Sequence, residues 1–250
     1  MVQIVASICR TTTTCFSTGA ENDRYYLAYG AEKEKIYRYP FTSLYASDVY
    51  ENTASDSEKS DLRAKLRIQE KFAIISVGRF TYLNGYGKGY DVLIKAAETL
   101  PKEIGWYVIG GQPTEEFSRL VLDKKMDNFH FIDFKQKEAL KEYYRATDLF
   151  VLMTVGEAWG LVINEAMACG LPVITTDKCI AGLELVENGE NGYIVPVGDH
   201  EMLAEKVHEV FDQNRMEEMG KCSLEKIKDY TIEQMAQRHI SLFETLKDET

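Results

Sequence analysis

From residue 72 onward, short runs of apolar, β-branched or aromatic residues alternate with longer stretches whose apolar positions recur at helical spacing. FAIISV (72–77) is apolar at all but one position, the pattern of a strand buried on both faces. A helical pattern follows over 89–100, and IGWYVI (104–109) is the next strand, ending in Gly110-Gly111. Thr114 ahead of Glu115 and Glu116 predicts a capped helix over 114–124. The alternation continues with strand 129–132, helix 137–146, strand LFVLM (149–153), helix 161–168 and strand LPVIT (171–175). A short apolar run at 193–197 and helices near 200–213, 215–229 and 231–247 finish the chain. Strands separated by helices of about ten residues predict βαβ units, hence an α/β, Rossmann-like parallel sheet with helices on both faces. Ligands of such sheets bind at the carboxyl ends of the strands. The loops after Val77, Ile109, Ile132 and Met153 are therefore expected around one crevice.

The first seventy residues read differently. MVQIVASICR (1–10) is a strand-like run, 20–29 a helix and Pro40 a turn, a set too small to bury a core of its own. The polar stretch 47–60 reads as a linker, with a helix over 60–67. The expected division is an N-terminal remnant at 1–46, a linker and helix at 47–70, a Rossmann-like domain at 71–230, and a last helix and tail at 231–250.

Composition narrows the partners. With 45% hydrophobic and 28% charged residues the chain is an ordinary globular one. A formal net charge of −11, with no basic cluster, argues against nucleic acid. A small anion remains compatible with it, because a few cations and a helix N-terminus can hold a diphosphate locally. Five scattered cysteines and four dispersed histidines offer neither a zinc-ligand spacing nor a disulfide framework, so no metal is expected. No stretch approaches the roughly 18 apolar residues of a membrane span. The first ten residues lack the basic start of a signal peptide, and the default expectation is a cytoplasmic protein.

Two groups of residues could carry chemistry. Gly78-Arg79 closes a buried strand, and Gly87-Lys88-Gly89 opens the following helix. Two cations beside helix N–H groups suit a diphosphate. A surface Arg and a surface Lys near a turn is the equally weighted alternative. No GxxxxGK[ST] is present, so this is not a P-loop. The second group is EAWGLVINEAMACG (157–170). Gly160 precedes an apolar helix with orphan N–H groups at its start. Glu157 lies in the loop before it, where a solvated acid is the plain reading. Glu165 lies within the apolar run, and a carboxylate buried there needs donors.

The spacing Glu157-x7-Glu165, with Trp159-Gly160 after the first Glu and AMACG after the second, resembles the E-x7-E signature of family 4 (group 1) retaining glycosyltransferases of the GT-B fold. GRF with GKGYDVLIKAA (78–97), VIGGQP (108–113), FHFIDFKQKEALKEYYRATDLFVL (129–152), GLPVITTD (170–177) and ENGENGYIVPVGD (187–199) resemble further family motifs in the same order, over about residues 72–247. The resemblance implies a nucleotide-sugar-binding C-terminal GT-B domain that uses a UDP- or GDP-linked sugar as substrate, with no cofactor and no metal. By resemblance Arg79 and Lys88 bind the donor diphosphate and stabilise the leaving nucleotide, and Glu157 meets hydroxyls of the donor sugar. Gly78 and Gly110 line the donor, and the backbone of Ala158, Trp159, Gly160 and Leu161 approaches sugar and phosphate. Glu165 accepts from the ribose hydroxyls, while Phe134 and Lys135 set backbone atoms against the base. Neither Glu acts as a glycosidase nucleophile or acid.

One departure bears on activity. Enzymes of the family carry an N-terminal Rossmann-like domain with the acceptor loop, and here STGAE (17–21) and EKIYRYP (34–40) resemble only its end. A truncated N-terminal domain is expected, with residues 1–15 fitting the family poorly and none of the four histidines standing where that domain's catalytic one would. The final helix is expected to return to that domain and, without a full partner, to leave an apolar patch. Contact with a membrane surface or a partner chain would then run through the missing half. The resulting expectation is hexosyl transfer with retention, in polysaccharide or glycoconjugate synthesis. The alternatives are a donor-binding module or split-enzyme subunit without transfer of its own, and a GT-B sugar-nucleotide epimerase.

Overall fold

The structure, a computed structural model, describes residue 7 and residues 14–248. Its chain divides into two compact units, residues 1–48 with 228–250, and residues 49–227.

The larger unit is built on six parallel strands: β3 (Phe72–Val77), β4 (Ile104–Ile109), β5 (Phe129–Ile132), β6 (Leu149–Leu152), β7 (Val173–Thr176) and β8 (Gly192–Val195). Their order is β5-β4-β3-β6-β7-β8. The chain steps outward from β3 to β5, then crosses to the other side of β3 and steps outward again. The order therefore reverses between β3 and β6, the position at which α/β sheets open a crevice above the carboxyl ends.

Strand periodicity decides which side chains meet which layer. Ile74 pairs with Trp106, and both join Val108, Leu149 and Val151 in the main core. Their neighbours Ala73 and Tyr107 point to the other face and pack with Ile68 and Ala146. Helices α3 (Tyr90–Thr99), α4 (Glu115–Asp123) and α8 (His200–Asp212) cover the first face, and α2 (Asp56–Leu66) and α5 (Lys137–Ala146) the second. Leu93 and Ile94 of α3 are fully buried, each contributing about 2 kcal/mol of apolar transfer. The α/β sheet with helices on both faces is the fold expected from the alternation.

Boundaries moved where local chemistry was stronger than periodicity. The 47–60 linker is half helix: α2 starts at Asp56, where Ser55 accepts the Glu58 N–H, rather than at residue 60. The strands expected at 171–175 and 193–197 run Val173–Thr176 and Gly192–Val195. A short helix, α7 (Ile180–Leu185), follows β7 where none was expected. The remaining helices of this unit, α6 (Leu161–Ala168) and α9 (Met216–Ile227), pack against each other.

The smaller unit joins both ends of the chain. β1 (Cys15–Ser17) and β2 (Ile36–Arg38) form a two-stranded parallel sheet, connected by α1 (Ala20–Ala28). The strand read into 1–10 lies, Ser7 apart, outside the described residues. The last helix, α10 (Ile232–Asp248), sets His239 and Phe243 against the Phe16 ring, with centroids 5.3 and 5.7 Å away. Arg238 donates to the Arg38 carbonyl, so α10 supplies apolar cover that residues 1–46 lack by themselves. Ile240 and Phe243 remain exposed on that helix.

Candidate functional site

Two loops at the carboxyl ends of β3 and β6 meet where the strand order reverses. The first runs from Gly78 to Gly89 and includes a 3-10 stretch over Tyr82–Lys88 in which Leu83, Asn84 and Gly85 have positive φ. The second runs from Met153 to Gly160. They are fastened at backbone level: Val155 N–H donates to the Gly87 carbonyl at 3.2 Å, and the Thr154 hydroxyl to the same oxygen at 2.9 Å. Gly89 stands at the tightest point, with a φ of 72° and room for no side chain, since a Cβ there would come within 2.0 Å of the Met153 carbonyl oxygen. Tyr86 ties the first loop to α4 by donating its hydroxyl to Glu116 at 2.6 Å.

This fastening brings Lys88 and Glu157 together across 69 residues of sequence. The ammonium donates directly to Glu157 Oε2, and the two side chains are only 17% and 24% exposed. Glu157 is held at its backbone as well. Its N–H donates to the Lys178 carbonyl at 3.0 Å, and its carbonyl accepts from Ile180 N–H at 3.3 Å. Gly160, at a φ of 108°, turns the chain into α6; a Cβ would press on Cys179 Sγ at 2.9 Å and on Glu157 Cγ at 3.3 Å. Gly160 thus brings the start of α6 next to the Glu157 side chain; Leu161 and Val162 N–H have no i−4 acceptor in the helix, while Ile163 N–H donates to the Gly160 carbonyl at 2.8 Å.

Glu165 lies one turn further along α6 and is half-buried. The donor that its apolar setting required is Tyr144 of α5, whose hydroxyl reaches Oε2 at 3.2 Å. Tyr144 is fully buried, and burial together with the Glu165 charge pushes its phenol well above the ordinary value of 10.0. It therefore stays a hydrogen-bond donor throughout the working range. Trp159 is buried, donating its indole N–H to Asn164 Oδ1 at 2.9 Å and accepting at its carbonyl from Ala181 N–H, also at 2.9 Å. Burial likewise pushes the Cys179 thiol up, so this cysteine behind Gly160 is a packed neutral group.

The remaining sequence-predicted residues border the same edge without joining the pair. Gly78 N–H donates to the Ile109 carbonyl at 2.9 Å, so Gly78 and Gly110 stand at adjacent strand ends. The Gly78 carbonyl accepts from the Tyr90 hydroxyl, whose pKa burial raises. Arg79 is exposed and forms no ion pair among the described residues. Phe134 and Lys135 follow β5 at the sheet's edge; Phe134 is 61% exposed, and β4 and β3 separate them from β6. Ala158 lies in the turn between Glu157 and Trp159. Tyr144 and Tyr90 escaped the sequence reading. The need of Glu165 for a donor was the one signal pointing to a residue like Tyr144.

Residues 58–226 match the family described as glycosyl transferases group 1. The chain belongs to that family. A curated relative, the UDP-N-acetylglucosamine–peptide N-acetylglucosaminyltransferase GtfA subunit of Streptococcus gordonii, is 24% identical over 94% of this chain and 51% of its own length. A D-inositol 3-phosphate glycosyltransferase of Xylanimonas cellulosilytica is 30% identical over 72% of this chain and 43% of its own. The chain thus spans about half, or less, of the length of these relatives. Among solved structures, sucrose-phosphate synthase of Thermosynechococcus elongatus superposes with a TM-score of 0.80 at 23% identity, covering 100% of this chain and 62% of its own. HepE of Anabaena in complex with UDP superposes with a TM-score of 0.80 at 19% identity, covering 98% and 66%. At these identities the likeness is one of fold. Both structures share with this chain the overall fold.

Proposed function

We propose that this chain binds a nucleotide-diphosphate sugar at the carboxyl edge of its sheet, as the donor half of a hexosyltransferase that retains anomeric configuration. The observation that carries the reading is the meeting of Lys88 and Glu157 at the point of strand reversal, beside the opening N–H groups of α6. A cation, a helix start and a carboxylate within one small region match the three parts of such a donor. The diphosphate needs positive charge and N–H donors, and the sugar needs an acceptor for its hydroxyls. Arg79, unengaged among the described residues, adds a second cation for the diphosphate. Glu165, which accepts from Tyr144, is the carboxylate that would meet the ribose hydroxyls. Gly78 and Gly110 let backbone approach the phosphates, and Phe134 and Lys135 flank the base.

Membership of the group 1 family supports a donor of this class, as does the fold shared with HepE, whose structures hold UDP, UDP with glucose, and UDP-glucose. The leaving nucleotide gathers negative charge on its diphosphate in the transition state. Lys88 and Arg79 lower the barrier by meeting that charge, a purely electrostatic contribution that needs no cofactor. The acceptor belongs to glycoconjugate or polysaccharide synthesis. The alternative is a donor-binding module without transfer of its own.

Calorimetry of the purified chain against a panel of UDP- and GDP-sugars tests the donor site. Binding in the micromolar to millimolar range is expected, and Arg79→Ala or Lys88→Ala weakens it by about tenfold or more, the loss of one charge-assisted contact. Absence of heat with every nucleotide, from protein with a cooperative melting transition, would remove the donor-site reading. Donor binding without transfer to any supplied acceptor would favour the module.

A further inference from the structure

Lys88 already has an anion on it. The carboxylate of Glu157 holds the ammonium that a donor diphosphate would need, and the pair is mostly withdrawn from water. We propose that Glu157 is a specificity-determining residue that makes the site select the sugar-bearing donor over the bare nucleoside diphosphate. It does so by occupying Lys88 until sugar hydroxyls draw its carboxylate away. The inference rests on the donor-site reading above.

The geometry supports a movement of the side chain alone. Glu157 is fixed by its own N–H and carbonyl to the 178–180 turn, and its loop is stapled to Gly87 through Thr154 and Val155. Lys88 is equally anchored, because Gly89 behind it packs against the Met153 carbonyl. Neither backbone can retreat when a diphosphate enters, so the carboxylate must rotate off the ammonium. Gly160 imposes no Cβ on this side chain; one there would lie 3.3 Å from Glu157 Cγ.

The two nucleotide forms then face different balances. A bare nucleoside diphosphate gains Lys88 but strands a half-buried carboxylate beside its own negative charge, and both desolvation and like-charge repulsion count against it. A sugar nucleotide faces the same displacement but brings hydroxyls that donate to the displaced carboxylate, so every charge finds a partner. Discrimination between two ligands is a difference of affinities, and a repulsive element against one serves as well as an attractive one toward the other. After transfer the sugar is gone, the carboxylate returns to Lys88, and the product diphosphate is expelled.

The test compares Glu157→Gln with the unmodified chain by calorimetry, using UDP against UDP-glucose and UDP-N-acetylglucosamine, and GDP against GDP-mannose. The amide keeps the side chain's size but neither neutralises Lys88 nor repels phosphate. The variant is expected to bind the bare diphosphate roughly threefold to tenfold tighter and the sugar nucleotide more weakly, reversing the order of the two. In a Lys88→Met background the same Glu157→Gln change should tighten diphosphate binding by clearly less, because only the repulsion is left to relieve. Should Glu157→Gln fail to fold, Glu157→Asp, too short to reach the ammonium, replaces it with the same expected direction. Unchanged or weaker binding of the bare diphosphate by a folded variant overturns the proposal while leaving the donor site standing. If the unmodified chain binds no nucleotide of either kind, the donor-site reading falls, and this inference with it.

Discussion

At the scale of single residues, the chain commits its strongest polar contacts to the amino edge of the sheet, opposite the proposed donor site. Asp148, 8% exposed just before β6, accepts from Lys59 Nζ and from Ala73 N–H, each at 2.8 Å, and pairs with the Arg63 guanidinium. Arg63 spends its other N–H groups on the Ala146 and Lys71 carbonyls. Removing the carboxylate would leave two cations and a strand N–H without this acceptor in a half-buried setting. Asp148→Ala is therefore expected to cost about 3 kcal/mol. Urea denaturation would measure it, and a loss below about 1 kcal/mol would mean that water replaces the acid without penalty. Little of this network is legible in sequence, because Asp148 and Arg63 are 85 residues apart and each alone is an ordinary charged residue. Glu157 and Lys88 were both readable as site residues from their motifs, yet their mutual contact was not. Contact between side chains of two loops depends on strand order, which periodicity does not specify.

At the scale of elements, legibility follows how completely a segment is buried. β3, β4 and β6 are buried along nearly their whole length and read as unbroken apolar runs, so their positions emerged almost to the residue. The start of helix α2 did not, because none of its residues is fully buried and the apolar residues of DSEKSDLRAKL, Leu62, Ala64 and Leu66, all lie in its second half. It is fixed by its cap and by ion pairs, and Ser55→Ala is expected to destabilise the chain by about 1 kcal/mol. A thermal melt of that variant checks the figure, and no shift would assign the start of α2 to tertiary contacts alone. The three-residue strands β1 and β2 are too short to carry any period, and α7 is a six-residue helix with a glycine inside it. Gly89 belongs to this scale also, since it joins the first site loop to α3. Gly89→Ala would place a Cβ against the Met153 carbonyl at an unfavourable φ, pushing apart the two loops that carry Lys88 and Glu157. Nucleotide affinity should fall in this variant even though no binding group is removed. Calorimetry on protein that still melts cooperatively would separate that loss from unfolding.

At the scale of the whole molecule, charge and specific pairing predict opposite responses to acid. The formal net charge of −11 at pH 7 means that protonating carboxylates first relieves self-repulsion, which favours the folded state. Several carboxylates, however, are held below their ordinary value of 4.5 by native partners. The Arg145 hydrogen bond lowers Glu58, and that of Lys206 lowers Glu209. Burial pushes Glu70 up, but hydrogen bonds from Tyr107 and His130 more than reverse it. A carboxyl with a depressed native pKa binds its proton more tightly when unfolded. Its contribution is therefore complete above about pH 4.5 and drains away as pH falls through the native value. The melting temperature should thus be level or slightly rising from pH 8 to about 5, then fall steeply below about 4.5. Glu70→Gln separates the two effects, since it removes one depressed carboxyl while changing the net charge by a single unit. That variant should melt below the unmodified chain at pH 7, and the gap should narrow as pH falls below about 4.5 through the depressed native value of Glu70. A melting temperature that kept rising to pH 3.5 would instead mean that self-repulsion, not the buried and half-buried carboxylate pairs, governs the stability of this acidic chain.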